Sequence, residues 1–241
     1  MRFAWLGSGE FEEWHDDLDL WLLEAAAGSG KVLLLPTASA REGDEVFNAW
    51  AMKGLEHYGR GGVPVEVVPL KTREDAYRED LVSLLDAAPA VFFSGGNPAY
   101  LADVLVGTPF WERLVSRLGD GLAYAGCSAG VACLPEMAPD SDVEEITVDA
   151  LHPGLGLVKG AWLMPHWDML DDYRPGLTTF IISSVPAGTT LVAIDETTAM
   201  VGDGSSWRVM GSSGVHVLSD GEWTHHRAGE TFERHLVPAA S

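Results

Sequence analysis

Cations are scarce in this chain of 241 residues. Lys and Arg number 15 against 36 Asp and Glu, a formal charge of −21. A balance so negative argues against a phosphate-backbone partner and against docking on an anionic membrane. Cysteine is scarcer still. Cys127 and Cys133 are the only two, too few for a disulfide framework, and they point to a reduced compartment. No apolar run reaches the length of a membrane span. The early run Phe3–Leu6 is too short for a secretion signal and acidic residues soon follow it, so a cytoplasmic location is expected. There is no internal repeat, no Pro/Gly/Ser-rich linker, and no His or Cys spacing typical of a metal site. The expectation is one domain over 1–241, without metal or organic cofactor.

What is present is a regular alternation. Phe3–Leu6, Val32–Pro36, Val65–Leu70, Ala90–Ser94 and Leu122–Gly126 are near-continuous apolar runs. Such runs suit strands buried on both faces of a parallel sheet. Helical patterns lie between them: Asp16–Ala27, Glu42–Tyr58, Arg78–Asp86, Ala99–Val106 and Phe110–Leu118. Strands alternating with helices predict an α/β fold with an open, mostly parallel sheet flanked by helices. After about residue 185 the pattern changes to short strands separated by Asp203-Gly204, Gly211–Gly214 and Asp220-Gly221. Asp-Gly pairs are hairpin signals, which predicts antiparallel C-terminal strands added to the same sheet.

The strongest chemical signal is Gly126-Cys127-Ser128-Ala129-Gly130. It fits Gly-x-Ser-x-Gly, a sharp strand-to-helix turn that lifts a nucleophilic Ser above the sheet. The context agrees: Leu122–Ala125 reads as the strand and Ala129–Leu134 as a helix start. The backbone N–H of Ala129 would then face a developing oxyanion. Cys127 occupies the x position, and its side chain is expected to point away as a small buried hydrophobe. A second turn, Ser94-Gly95-Gly96-Asn97-Pro98, follows an apolar strand. Paired glycines there allow a backbone that aims an N–H at a ligand oxygen.

A Ser nucleophile needs a base. Of eight histidines, His225, His226 and His235 lie in polar C-terminal sequence, and His15 and His57 in polar helical sequence. His216 falls in a late strand and His152 in a loop. His166 differs, because it follows the strand-like run Gly160–Pro165. The C-terminal ends of strands are where open α/β sheets present ligands. The third member of a triad is a carboxylate that orients the imidazole. Glu136, Asp140, Asp142, Glu144, Glu145 and Asp149 all lie between Ser128 and His166, and composition does not choose among them.

Taken together these residues resemble the peptidase E (aspartyl dipeptidase) and cyanophycinase family of serine peptidases. The matching pieces are Gly7-Ser8-Gly9-Glu10-Phe11, Gly95-Gly96-Asn97, Gly126–Gly130, Pro165-His166 and Ile194-Asp195-Glu196-Thr197-Thr198-Ala199, in the family's order. The resemblance implies a class I glutamine amidotransferase-like fold with Ser in place of Cys at the turn. It implies Ser128 as nucleophile, His166 as base, and the N–H groups of Gly96 and Ala129 as the oxyanion hole. The family places its acid between Ser and His. Counting back from Pro165-His166 the register falls on Glu144; counting forward from Ser128 it falls nearer Asp142. The backward count also matches Val148-Asp149, which favours Glu144.

Cyanophycinases carry Asp-Gln before the His and several Arg after it, whereas here Met164-Pro165 precede it and Arg174 alone follows closely. That favours the peptidase E branch, whose members hydrolyse dipeptides with N-terminal Asp and use an Arg for the acidic side chain. Arg174 is the closest positional match, and Asn97 is the second expected substrate contact. The expected activity is hydrolysis of small peptides by a Ser-His-Glu triad, with a small peptide as partner. The alternatives are an acyl or amido hydrolase acting on a non-peptide substrate, and a non-catalytic small-molecule-binding domain of the same fold.

Overall fold

The computed structural model describes residues 1–143, 145 and 147–238. The first half is built from β1 (Arg2–Leu6), α1 (His15–Glu24), β2 (Val32–Leu35), α2 (Asp44–Arg60), β3 (Val65–Val67), α3 (Glu79–Val82), β4 (Ala90–Phe93), α4 (Pro98–Leu105), α5 (Pro109–Gly119) and β5 (Ala123–Cys127). A single turn, α6 (Ala129–Ala132), follows, then β6 (Met137–Pro139), β7 (Leu151–Pro153), β8 (Ala161–Met164), α7 (Leu170–Tyr173) and α8 (Leu177–Ser184). The chain ends in β9 (Thr190–Ile194), β10 (Thr198–Gly202), β11 (Ser206–Gly211), β12 (Gly214–Ser219), β13 (Glu222–Arg227) and β14 (Thr231–Glu233).

Five parallel strands in the order β1-β5-β4-β2-β3 form the main part of an eight-stranded sheet. Alternation along each strand sends side chains to opposite faces. Phe3, Trp5, Leu35, Phe93 and Tyr124 enter a core shared with α4 and α5. Ala4, Leu6, Leu34, Phe92 and Ala125 enter a second core shared with α1 and α2. Both faces are therefore covered, and this is why the strands read as unbroken apolar runs. Removing one such buried side chain down to Ala costs about 2–5 kcal/mol. Among the described residues no helix is long and apolar enough to cross a membrane.

The C-terminal strands depart from expectation. β10, β11 and β14 extend the main sheet antiparallel from β1. The others leave it: β13-β12-β9-β8 form a separate four-stranded sheet in which β8 and β9 run parallel. Asp-Gly turns fix local hairpin geometry, not the sheet that a hairpin joins. The second sheet has its own apolar patch of Met164, Ile181, Leu191 and Leu218. Its consequence is positional, because the C-terminal ends of β8 and β9 come to lie against the C-terminal ends of β1, β4 and β5.

Candidate active site

Ser128 stands at the end of β5 with φ 52° and ψ −109°. A left-handed φ at a non-glycine residue costs about 1–3 kcal/mol and persists only where packing imposes it. Packing does so here. A Cβ at Gly130 would lie 2.5 Å from the carbonyl oxygen of Phe93, so β4 and the turn touch backbone to backbone. Tyr124 Oη ties the turn a second time, donating to the Gly130 carbonyl at 2.6 Å. The expected helix after Ser128 is only the one turn α6. One turn carries no long-helix dipole, so an oxyanion at Ser128 would depend on individual N–H groups.

His166 follows β8 and also has a left-handed backbone, φ 56° and ψ 28°. Its Nε2 lies 2.8 Å from Ser128 Oγ. Its Nδ1 lies 2.9 Å from Oε1 of Glu196. The parallel register explains the second contact. Met164 pairs with Ala193 across β8 and β9, so residues two and three places beyond those partners emerge together. Glu196 is held from two more directions. Tyr173 Oη donates to its Oε1 at 2.5 Å, and its backbone N–H donates to Asp168 Oδ1 at 2.8 Å. Burial raises the Glu196 carboxyl pKa, but hydrogen bonds from Tyr173 and His166, with the attraction of His166, outweigh it and leave the group below its ordinary value. The same bond to Glu196, with burial, pushes the Tyr173 phenol up to about 12.

Glu144 lies outside the described residues. The carboxylate on the imidazole is Glu196, which the search between Ser and His passed over. Its signal was available: a carboxylate just past the apolar run Leu191–Ile194 meets the same strand-end criterion that singled out His166. Its neighbour Asp195 has a different duty. It is buried and its Oδ2 accepts from Ser213 Oγ at 2.7 Å and Gly214 N–H at 3.1 Å. Asp142 pairs with Arg41 at 3.3 Å on the surface.

The Gly95-Gly96 turn closes the other side. A Cβ at Gly95 would lie 3.9 Å from Ser128 Oγ, and one at Gly96 would lie 2.3 Å from the backbone of Ala38. Gly96 has φ +141°, a conformation that only glycine adopts freely. Gly95 N–H donates to Glu10 Oε1 at 3.2 Å. Among the described residues neither Gly96 N–H nor Ala129 N–H has a protein acceptor. Cys127 is fully buried and donates from Sγ to Glu10 Oε2 at 2.9 Å. Burial and the Glu10 charge push its thiol pKa well up, so it is no thiolate nucleophile.

A pocket of about 320 Å³ opens over Ser128, Gly96 and His166. Its apolar lining includes Trp162, Leu170, Phe180 and Ile181, and its charged lining includes Asp140, Glu145 and Arg174. Arg174 Nη1 donates to Val143 O at 2.9 Å. Among the described residues it makes no ion pair with Asp171 or Asp172, and Asp171 instead accepts from Thr178 N–H at 3.0 Å. Asn97 does not line the pocket. It is buried, its Oδ1 accepts from Tyr100 N–H at 2.9 Å to cap α4, and its Nδ2 donates to Asp140 Oδ1 at 2.6 Å. It thus reaches the pocket through Asp140, contrary to the direct contact expected from sequence.

The profile of peptidase family S51 matches residues 3–210. The sequence is 25% identical over 205 residues to cyanophycinases of Nostoc sp. (strain PCC 7120) and Trichormus variabilis, covering 83% of this chain and 67% of each relative. The fold superposes on a peptidase from an acI-B1 Actinobacterium with TM-score 0.88 and 29% identity, covering 97% and 96% of the two chains. It also superposes on a candidate peptidase E from Listeria monocytogenes EGD-e, with TM-score 0.60 and 17% identity over 95% and 98%. At that identity the likeness concerns the fold alone.

Proposed function

The chain belongs to peptidase family S51, and from that premise we propose that it is a serine peptidase cleaving dipeptides with N-terminal Asp through Ser128, His166 and Glu196. The observation that carries the reading is the chain of contacts Ser128 Oγ–His166 Nε2 at 2.8 Å and His166 Nδ1–Glu196 Oε1 at 2.9 Å. In this reading Ser128 attacks the scissile carbonyl and His166 takes its proton on Nε2. The imidazolium then returns the proton to the leaving amine, and water repeats the cycle to release the acyl group. Glu196 fixes the tautomer with Nδ1–H and stabilises the cation. Gly96 and Ala129 N–H receive the oxyanion, a contribution of roughly 3–4 kcal/mol per donor in comparable sites.

The pocket supports a small peptide with a free N-terminus. The carboxylates of Asp140 and Glu145 suit an α-ammonium group. The planar guanidinium of Arg174 suits a side-chain carboxylate. In a chain of charge −21, an acidic substrate needs such a local cation against the general field. The apolar lining suits the second residue. The test is kcat/KM for Asp-X, Ala-X and Asp-X-X peptides. The proposal expects Asp-X to lead and extension beyond the second residue to reduce it; equal rates on all three contradict it.

A further inference from the structure

Away from this centre, α1 and α2 bring three side chains to one point. His15 and Asp19 are one turn apart on α1, and His57 is in the last turn of α2. All three are buried, His15 completely. His15 Nδ1 is 3.0 Å and His57 Nε2 is 2.5 Å from the same oxygen, Asp19 Oδ2, and the two nitrogens are 3.2 Å apart. The sequence around both histidines is polar. The fold instead packs their rings against Phe11 and Phe92.

We propose that His15 Nδ1, Asp19 Oδ2 and His57 Nε2 form a site for one divalent zinc-class cation that fastens α1 to α2. Two imidazole nitrogens and one carboxylate oxygen are a donor set that Zn²⁺ accepts, with metal–ligand bonds of about 2.0–2.2 Å. Tetrahedral geometry with such bonds separates ligand atoms by roughly 3.3 Å. Two of the three edges are already 3.0 and 3.2 Å, so only the His57–Asp19 edge must open.

Groups outside the ligands are arranged to orient them. Tyr58 Oη donates to the other Asp19 oxygen at 3.1 Å. On the far side of the His57 ring, Arg60 Nη2 lies 3.5 Å and Asp16 Oδ1 3.8 Å from Nδ1, so Asp16 can reach that N–H only by a small shift. His15 Nε2 is buried without a partner, so polar contacts hold this ring through Nδ1 alone. An entry path exists. Asp19 and His57 line a pocket of about 760 Å³, the larger of the two described, with Asp16 and Glu24 also on its wall. It shares no lining residue with the pocket over Ser128.

The role is structural. His15 starts α1 five residues after Glu10, whose carboxylate receives Gly95 N–H. A cation there would brace the segment that leads from the peptidase site into α1.

The test uses the full chain stripped with EDTA, titrated with ZnCl₂ by calorimetry and examined by zinc X-ray absorption. The proposal expects one tight equivalent, two imidazoles in the zinc shell, and a rise in Tm of roughly 5–10 °C at a hundredfold excess over Kd. His57→Gln should weaken binding at least tenfold and lose the Tm rise. Ser128→Ala, and His225→Ala in the exposed His216–His225 pair, should keep both. Absence of a stoichiometric site in the wild type, a zinc shell without two imidazoles, retention in His57→Gln, or loss in His225→Ala would each overturn it. The wild-type absorption spectrum decides the matter even where His57→Gln fails to fold.

Discussion

Glu196 holds His166 from the side opposite Ser128, with 2.9 Å between Oε1 and Nδ1. The two residues are thirty apart in sequence and meet because β8 and β9 are parallel neighbours. Glu196→Gln is accordingly expected to lower kcat by about 10³–10⁴-fold, since the amide neither stabilises the imidazolium nor enforces the right tautomer. Glu144→Gln is the comparison. Kinetics on one peptide substrate decide it, and a near-wild-type Glu196→Gln enzyme with an inactive Glu144→Gln one would return the role to Glu144.

That pair also marks what the sequence could and could not reveal. β1, β2, β4 and β5 were readable because burial on both faces leaves an unbroken apolar run. The strand-to-helix turn at Ser128 was readable because it demands small residues on both sides, as the contact of Gly130 with Phe93 shows. The contact of Glu196 with His166 was not legible because chain order stood in for space: a carboxylate was sought between Ser128 and His166, whereas strand adjacency also brings one from beyond His166. The second sheet was missed for a related reason. Turn residues encode hairpins, but the edge each hairpin joins is decided by long-range packing.

Tyr173 donates to Glu196 while exposed on its outer side. Tyr173→Phe removes that donor, so the Glu196 pKa should rise. Because the folded-state pKa is depressed, this carboxylate contributes stability above its unfolded-state pKa, and the contribution disappears as pH falls through the folded value. Melting temperatures measured from pH 7 down to pH 3 should show a smaller acid loss in Tyr173→Phe than in the wild type, one that is complete at higher pH, because the gap between unfolded and folded pKa narrows. Superimposable profiles would mean that the phenol does not hold the carboxylate. At neutral pH, kcat should drop by about tenfold, the lower end of the scale of one hydrogen bond to a charged group.

Glu10 accepts from both Gly95 N–H and Cys127 Sγ–H. Glu10→Ala frees the turn that carries Gly96, and kcat is expected to drop about tenfold or more with KM changing less, as befits a residue that positions an oxyanion donor. Cys127→Ala should keep most activity, because the thiol is buried and its pKa raised. A large loss in Cys127→Ala with none in Glu10→Ala would reverse these assignments.

Arg174 is the cation in the lining of the pocket. Arg174→Met should raise KM steeply for Asp-X dipeptides and change Ala-X little, because an apolar side chain of similar length keeps the packing and removes the fork. Equal losses on both substrates would indicate that Arg174 shapes the pocket through Val143 and does not read the substrate.

An activated Ser128 attacks a fluorophosphonate, and that reaction is the most direct measurement of its role as nucleophile. The wild type should be labelled stoichiometrically, with the adduct on Ser128 by mass spectrometry. Labelling should be abolished in Ser128→Ala and slowed by orders of magnitude in His166→Ala and Glu196→Gln. A wild-type protein that cleaves peptides yet carries no adduct on Ser128, or that labels equally fast without His166, would contradict the account.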